Sequence, residues 1–196
     1  MILAIMDLEW TSWASSEIKN IKNPKKEIIQ LSIMVFEYKK MKKVDDFNIF
    51  IKPVFNSYLS NHISELTGIK QDFIEEQGVN FKDALLKLLK FVESNQVKKI
   101  LSNGQDGDIL KENCIYHQLG FPNQIHFINL KPFFMEFFKT SISNVQSNNL
   151  YKLIPNKLLN SKIHDSSLDI ISIFNAISFI KNKNPQKLNK LMFDKF

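Results

Sequence analysis

Two strand-like runs follow one another early in the chain, EIIQLSIMVFEY at 27–38 and VDDFNIFIKP at 44–53, with only the cationic KKMKK at 39–43 between them. So short a polar link makes a hairpin turn and leaves no room for a crossover helix. Ahead of them, ILAIMDL (2–8) is an apolar run bounded by a polar turn, as expected of a buried strand. The sheet therefore opens with a meander, which most limits what the rest of the chain can build.

Downstream the period changes. LSNHISELTGI (59–69) has a helical pattern with Ser60 as N-cap and Gly68 as stop, and KQDFIEEQ then reads as a short turn. NFKDALLKLLKFVES (80–94) places Phe81, Leu85, Leu88, Leu89 and Val92 on one helix face behind an Asn80 cap. KKILSN (98–103) and QIHFINL (124–130) read as a fourth and a fifth strand, flanking a helix over GDILKENCIYHQLG that ends at Gly120. A Phe-rich helix (KPFFMEFFKT), a helical turn near NNLYKLI and a long helix over 165–182 complete the order. The expected fold is α/β, a mixed five-stranded sheet flanked by helices in one domain over 1–196, with PQKLNKLMFDKF (185–196) as a short tail.

At 196 residues, with 44% apolar residues, 17 Phe and only 5 Gly, the chain can bury a sizeable core and is not disordered or fibrous. The formal charge is +6, which suits a polyanionic partner or reflects a Lys-rich composition bias. All 26 basic residues are Lys, so any grip on phosphate uses ammonium groups, hydroxyls, amides or backbone N–H rather than a guanidinium fork. A single cysteine, Cys114, excludes an internal disulfide framework and points to a reducing, cytoplasmic setting. ILAIM lacks a basic flank and runs straight into Asp7, so no secretory signal is expected, nor is a membrane span.

The first strand ends in MDLEW. Asp7 and Glu9, two residues apart, share one face of it and repel one another unless a cation lies between them. The C-terminal ends of strands in α/β sheets are also where ligand crevices form. Taken alone the pair reads sooner as two solvated acids at a strand end than as a metal site. Two further stretches matter: LSNGQDGDIL sets Asp106 just beyond the fourth strand, and HDSSLDII sets His164 and Asp169 five apart at the start of the last long helix.

Together, in this order, the three stretches resemble the exonuclease motifs of the DnaQ-like, or DEDDh, 3′–5′ exonuclease superfamily. D-x-E-T is matched by Asp7, Glu9 and Thr11, the second motif by Asp106 with Leu110 four residues on, and H-x-x-x-x-D by His164 and Asp169. The L-T-G-I at 66–69 is similar to the segment after the third strand in these enzymes, and the resemblance extends over residues 2 to about 180. Eri-type and oligoribonuclease-like members look most similar. Ser166 stands where the third motif usually has Ala, and Asp108 offers a second candidate near Asp106, which fits the pattern better.

The resemblance implies an RNase H-like sheet and two divalent cations, Mg²⁺ or Mn²⁺, held by Asp7, Glu9, Asp106 and Asp169, with His164 as general base. It implies release of nucleoside 5′-monophosphates from single-stranded 3′ ends, RNA favoured over DNA. Trp10, Thr11 and Leu66 become candidate contacts to the terminal nucleotide, although Trp10, Trp13 and Leu66 can equally serve as packing residues. His62, His117 and His126 lack metal-ligand spacing. Alternatives are a DNA-trimming or proofreading exonuclease and, from another class, an idle nucleic-acid-binding module.

Overall fold

The structure, a computed structural model, describes residues 1–122, 125–155 and 165–193. The chain begins with β1 (Ile2–Trp10), a one-turn α1 (Ser15–Ile18), β2 (Ile28–Glu37) and β3 (Lys42–Phe50). Then come α2 (Asn61–Thr67), α3 (Gln71–Gln77), α4 (Phe81–Ser94), β4 (Lys99–Ser102), α5 (Asp106–Tyr116), β5 (His126–Asn129) and α6 (Lys131–Phe138). A 3₁₀ segment (Ser147–Leu153), α7 (Ser166–Lys183) and α8 (Pro185–Phe193) follow.

The sheet has the order β3-β2-β1-β4-β5. The first three strands form the antiparallel meander, and β4 and β5 add in parallel on the other side of β1. This is the mixed five-stranded, helix-flanked sheet that the resemblance implied. β1 lies at its centre and reads differently on its two faces: Leu3 and Ile5 pack against α6, α7 and α8, whereas Ala4, Met6 and Leu8 pack against α4 and α5.

Four boundaries differ from the sequence expectation. KQDFIEEQ is a two-turn helix, α3, rather than a turn; its one buried residue, Ile74, is too little to create a visible period. β3 begins at Lys42 and stops at Phe50, because Ile51 pairs with Val79 outside the sheet and Pro53 then lacks an N–H for the ladder. α5 ends at Tyr116, not at Gly120: Gln118 takes a left-handed conformation, and the Leu119 N–H returns to the Cys114 carbonyl. The expected tail is helical over Pro185–Phe193 and buries Leu188 and Met192, four residues apart, in the α7 side of the core.

The helix starts follow their caps. Asn80 Oδ1 accepts the Asp83 N–H at 2.9 Å to open α4. Asp165 Oδ1 accepts the Ser167 N–H at 2.9 Å to open α7, which places Asp169 one turn in, over the end of β1.

Candidate active site

The C-terminal end of β1 outruns its parallel partner: the β1–β4 pairing ends at Ile5 opposite Leu101, leaving later amides of β1 without a strand on that side. Asp106 fills part of the gap, its Oδ1 accepting the Leu8 N–H at 3.0 Å. One carboxylate of the second motif is thereby fixed between the two strands, while Asp108, two residues on in the same helical turn, is exposed.

Asp7 and Glu9 extend the β1 face that packs on α7, and Asp169 reaches down from the first turn of that helix. Asp7, Glu9 and Asp169 each bring a carboxylate oxygen to within 4.8 Å of the others. All four acids are nearly sealed, at 7%, 7%, 4% and 5% exposure for Asp7, Glu9, Asp106 and Asp169. So many like charges out of water favour the protonated forms. Burial, then repulsion from Asp106, Asp169 and Glu9, raises the Asp7 pKa well above the carboxylate range. Burial and the charge of Asp169 lift Glu9 to about 8. Burial with Asp165 lifts Asp169 to about 7, and Asp106 reaches about 6, burial prevailing over its own and the Leu8 amides and Lys131. A cluster of hard oxygen donors that resists ionisation unless compensated is the donor set that divalent cations occupy.

These acids line one end of a cavity of about 540 Å³, within the range of small-molecule sites. Trp10, Ile63 and Leu66 line it on the side of β1 and α2, and Pro132, Met135 and Ile142 contribute further apolar surface. Trp10 is half-buried and also packs on the α4 side of the core, so packing and cavity lining are combined in one residue. Leu66 likewise both lines the cavity and packs on the small core of Ile29, Ile63, Ile69 and Ile74. A shift of the β1–β2 register between Glu9 and Trp10 re-aims the strand where the tryptophan enters.

Thr11 is placed otherwise than expected. It stands one residue beyond the threonine of D-x-E-T, a position Trp10 takes, and it is not among the residues lining the cavity. Its buried hydroxyl donates to the Lys25 carbonyl at 2.8 Å and accepts the Glu27 N–H at 2.9 Å, so it is committed within the fold. The Glu27 carboxylate in turn accepts the N–H groups of Val54, Phe55 and Asn56, at 2.6 to 3.1 Å, fixing the loop that leads into α2 and Leu66. Thr11→Val is therefore expected to lower stability by about 1–3 kcal/mol, a fall of several degrees in Tm read by thermal melting, by stranding buried polar groups.

Ser166 has a partner that explains its departure from the usual alanine. It is fully buried, and its Oγ lies 2.6 Å from Oγ of Ser32, the β2 residue opposite Asp7, which itself donates to Asn48 Oδ1 at 3.0 Å. A sheet residue able to accept the extra hydroxyl thus accompanies the serine. His164 lies outside the described residues. Trp13 does not line the cavity.

The cavity also contains residues that sequence reasoning passed over: Asn103, Lys131, Gln146 and Ser147. Asn103 donates to the Val145 carbonyl at 2.7 Å and to Ser147 Oγ at 3.1 Å, and Ser147 Oγ lies 3.5 Å from Asp7 Oδ1. Its Oδ1 is buried with no hydrogen-bond partner among the described residues. Only the polar strand end SNGQ hinted at these contacts.

Compared with known families, residues 4–176 match the RNase T exonuclease family, and the chain belongs to it. Its four acids and its sheet resemble those of the DEDDh 3′–5′ exonucleases, a group that uses two divalent metal ions. No curated protein matches the sequence significantly. The nuclease domain of 3′hExo, a DEDDh family member solved with bound rAMP, superposes with a TM-score of 0.81 at 19% identity, covering 93% of this chain and 92% of that one. A 3′-exonuclease that recognises the histone mRNA stem-loop gives 0.80 at 19%, over 93% of this chain and 82% of the other. The zinc-bound complex of E. coli exonuclease I with single-stranded DNA gives 0.76 at 11%, over 97% of this chain and 42% of the other. At such identities these likenesses speak for the fold.

Proposed function

We propose that this exonuclease trims single-stranded 3′ ends, taking RNA over DNA, with Mg²⁺ or Mn²⁺ as its working ions and nucleoside 5′-monophosphates as product. The observation that carries the reading is the meeting of Asp7, Glu9 and Asp169 within 4.8 Å, beside Asp106, in the wall of a nucleotide-sized cavity. RNA recognition by the 3′hExo-like neighbours supports the choice of sugar.

The residues divide the work. Asp7, Glu9 and Asp169 would hold one cation and Asp7 with Asp106 a second, and bound cations of this kind activate a water and stabilise the leaving 3′ oxygen. Asp106, anchored by the Leu8 amide, keeps its carboxylate at the junction of β1 and β4. Trp10 offers a ring face for the terminal base, and Leu66 a wedge beside it. His164, adjoining the Asp165 cap, takes the proton of the attacking water, a role that suits an imidazole near neutral pH.

The test is a set of 5′-labelled single- and double-stranded RNA and DNA oligonucleotides incubated with Mg²⁺ or Mn²⁺, beside Asp169→Ala. Wild-type protein should give a ladder that shortens from the 3′ end, runs fastest on single-stranded RNA and is abolished by chelator and by the substitution. Nucleic-acid binding without any metal-dependent ladder would mark an idle binding module instead, and a faster DNA ladder would reverse the choice of sugar.

A further inference from the structure

In a chain of net charge +6, Lys131 is the only cationic side chain among the described residues lining the cavity. It is the first residue of α6, directly after β5, so the sheet places its backbone at the same strand ends as the carboxylates. Its Nζ donates to Gln146 Oε1 at 3.3 Å, which steadies the side chain and leaves two further N–H donors on the ammonium. Lys131 Nζ and Asp106 Oδ2 approach the same point, lying 3.4 and 3.6 Å from where a Cβ on Gly104 would sit. The amine is thus near Asp106, the acid proposed to share the second cation with Asp7, and it still lines the cavity.

We infer that Lys131, positioned by Gln146, is the phosphate contact of this cavity and binds a backbone phosphate of the nucleic-acid strand. The inference rests on the nucleic-acid reading above. Four carboxylates and two divalent cations cancel, so one ammonium at the cavity wall is matched in charge to one phosphodiester. The absence of arginine makes a lysine the only permanently charged donor available for this role. Half-burial of the side chain, with Cε 3.9 Å from where a Cβ on Gly104 would sit, fits a point-charge contact rather than a solvated surface lysine.

A lysine that merely balances Asp106 and one that touches phosphate differ in the salt dependence of binding. Each phosphate contact on a single strand contributes about 0.7 to the slope of log K against log salt. Binding of a short fluorescein-labelled oligouridylate, followed by anisotropy across a KCl series with Ca²⁺ present, should lose about 0.7 of slope in Lys131→Ala. Lys87→Ala, an exposed residue on α4 behind the opposite sheet face, removes the same charge and should leave the slope unchanged. Gln146→Ala should weaken binding with the slope retained. Melting curves confirm that each variant is folded. An unaltered slope in Lys131→Ala, or an equal loss in the Lys87 variant, would overturn the assignment. Binding is read without turnover, so a wild-type protein that binds with this slope and makes no ladder would refute the exonuclease reading alone.

Discussion

Asp7→Asn is expected to abolish 3′ shortening and, at the same time, to raise the melting temperature of the metal-free protein. Asp7 is the most crowded of the four acids: it is sealed from water, and Asp106, Asp169 and Glu9 all oppose its ionisation. Asparagine keeps the shape and can still accept from Ser147 while removing the charge, so the apo fold is relieved. The cations lose a ligand they would share, and metal assistance contributes several kcal/mol to phosphodiester cleavage, so the rate should fall by at least about a thousandfold. Thermal melts in EDTA and with Mn²⁺, beside the ladder assay, separate the effects. A variant that melts lower than wild type in EDTA would contradict the strain argument, and one that retains the ladder would remove Asp7 from the metal site.

The second large effect is on pH. In the metal-free protein Glu9, Asp169 and Asp106 titrate at about 8, about 7 and about 6, whereas in the unfolded chain carboxyls of this kind titrate near about 4. Between these limits the folded state binds more protons than the unfolded one. The contribution of these three acids is therefore full below about pH 4, falls as the pH rises through the folded values, and levels off above about pH 8, with Asp7 acting in the same sense. Several kcal/mol are at stake, a drop in Tm on the order of 10 °C between about pH 5 and pH 8 in EDTA. His117, whose pKa burial lowers, acts in the opposite sense as a single, partly buried group. Saturating Mg²⁺ or Mn²⁺ should erase most of the fall, because cations bind the deprotonated carboxylates and stabilise more as the pH rises. A melting temperature independent of pH in EDTA would mean that the acids are not coupled as described.

Much of this was legible in the chain because the informative features are local. Strand period, the Asn80 and Ser60 caps and the i, i+2 acids of β1 each depend on residues a few positions apart. What escaped depends on distance. α3 has a single inward residue, Ile74, and α8 earns its helix by docking Leu188 and Met192 on α7. Lys131 is one lysine among 26, distinguishable only once β5 has carried it to the carboxylates. Thr11 shows the reverse error, since a motif suggested a ligand contact and the folded chain uses the hydroxyl to hold Lys25 and Glu27.

β1 gives one more consequence. Its odd positions run from Leu3 and Ile5 to Asp7 and Glu9, its even ones from Ala4 through Met6 to Leu8, and each set belongs to a different side of the sheet. Because strand faces alternate strictly, inserting or deleting one residue ahead of Asp7 would turn both acids into the α4–α5 core and bring Met6 and Leu8 to the cation side. Length here matters as much as chemistry: residue substitutions within β1 can be graded, but a change of frame would lose the fold and the acid cluster in a single step.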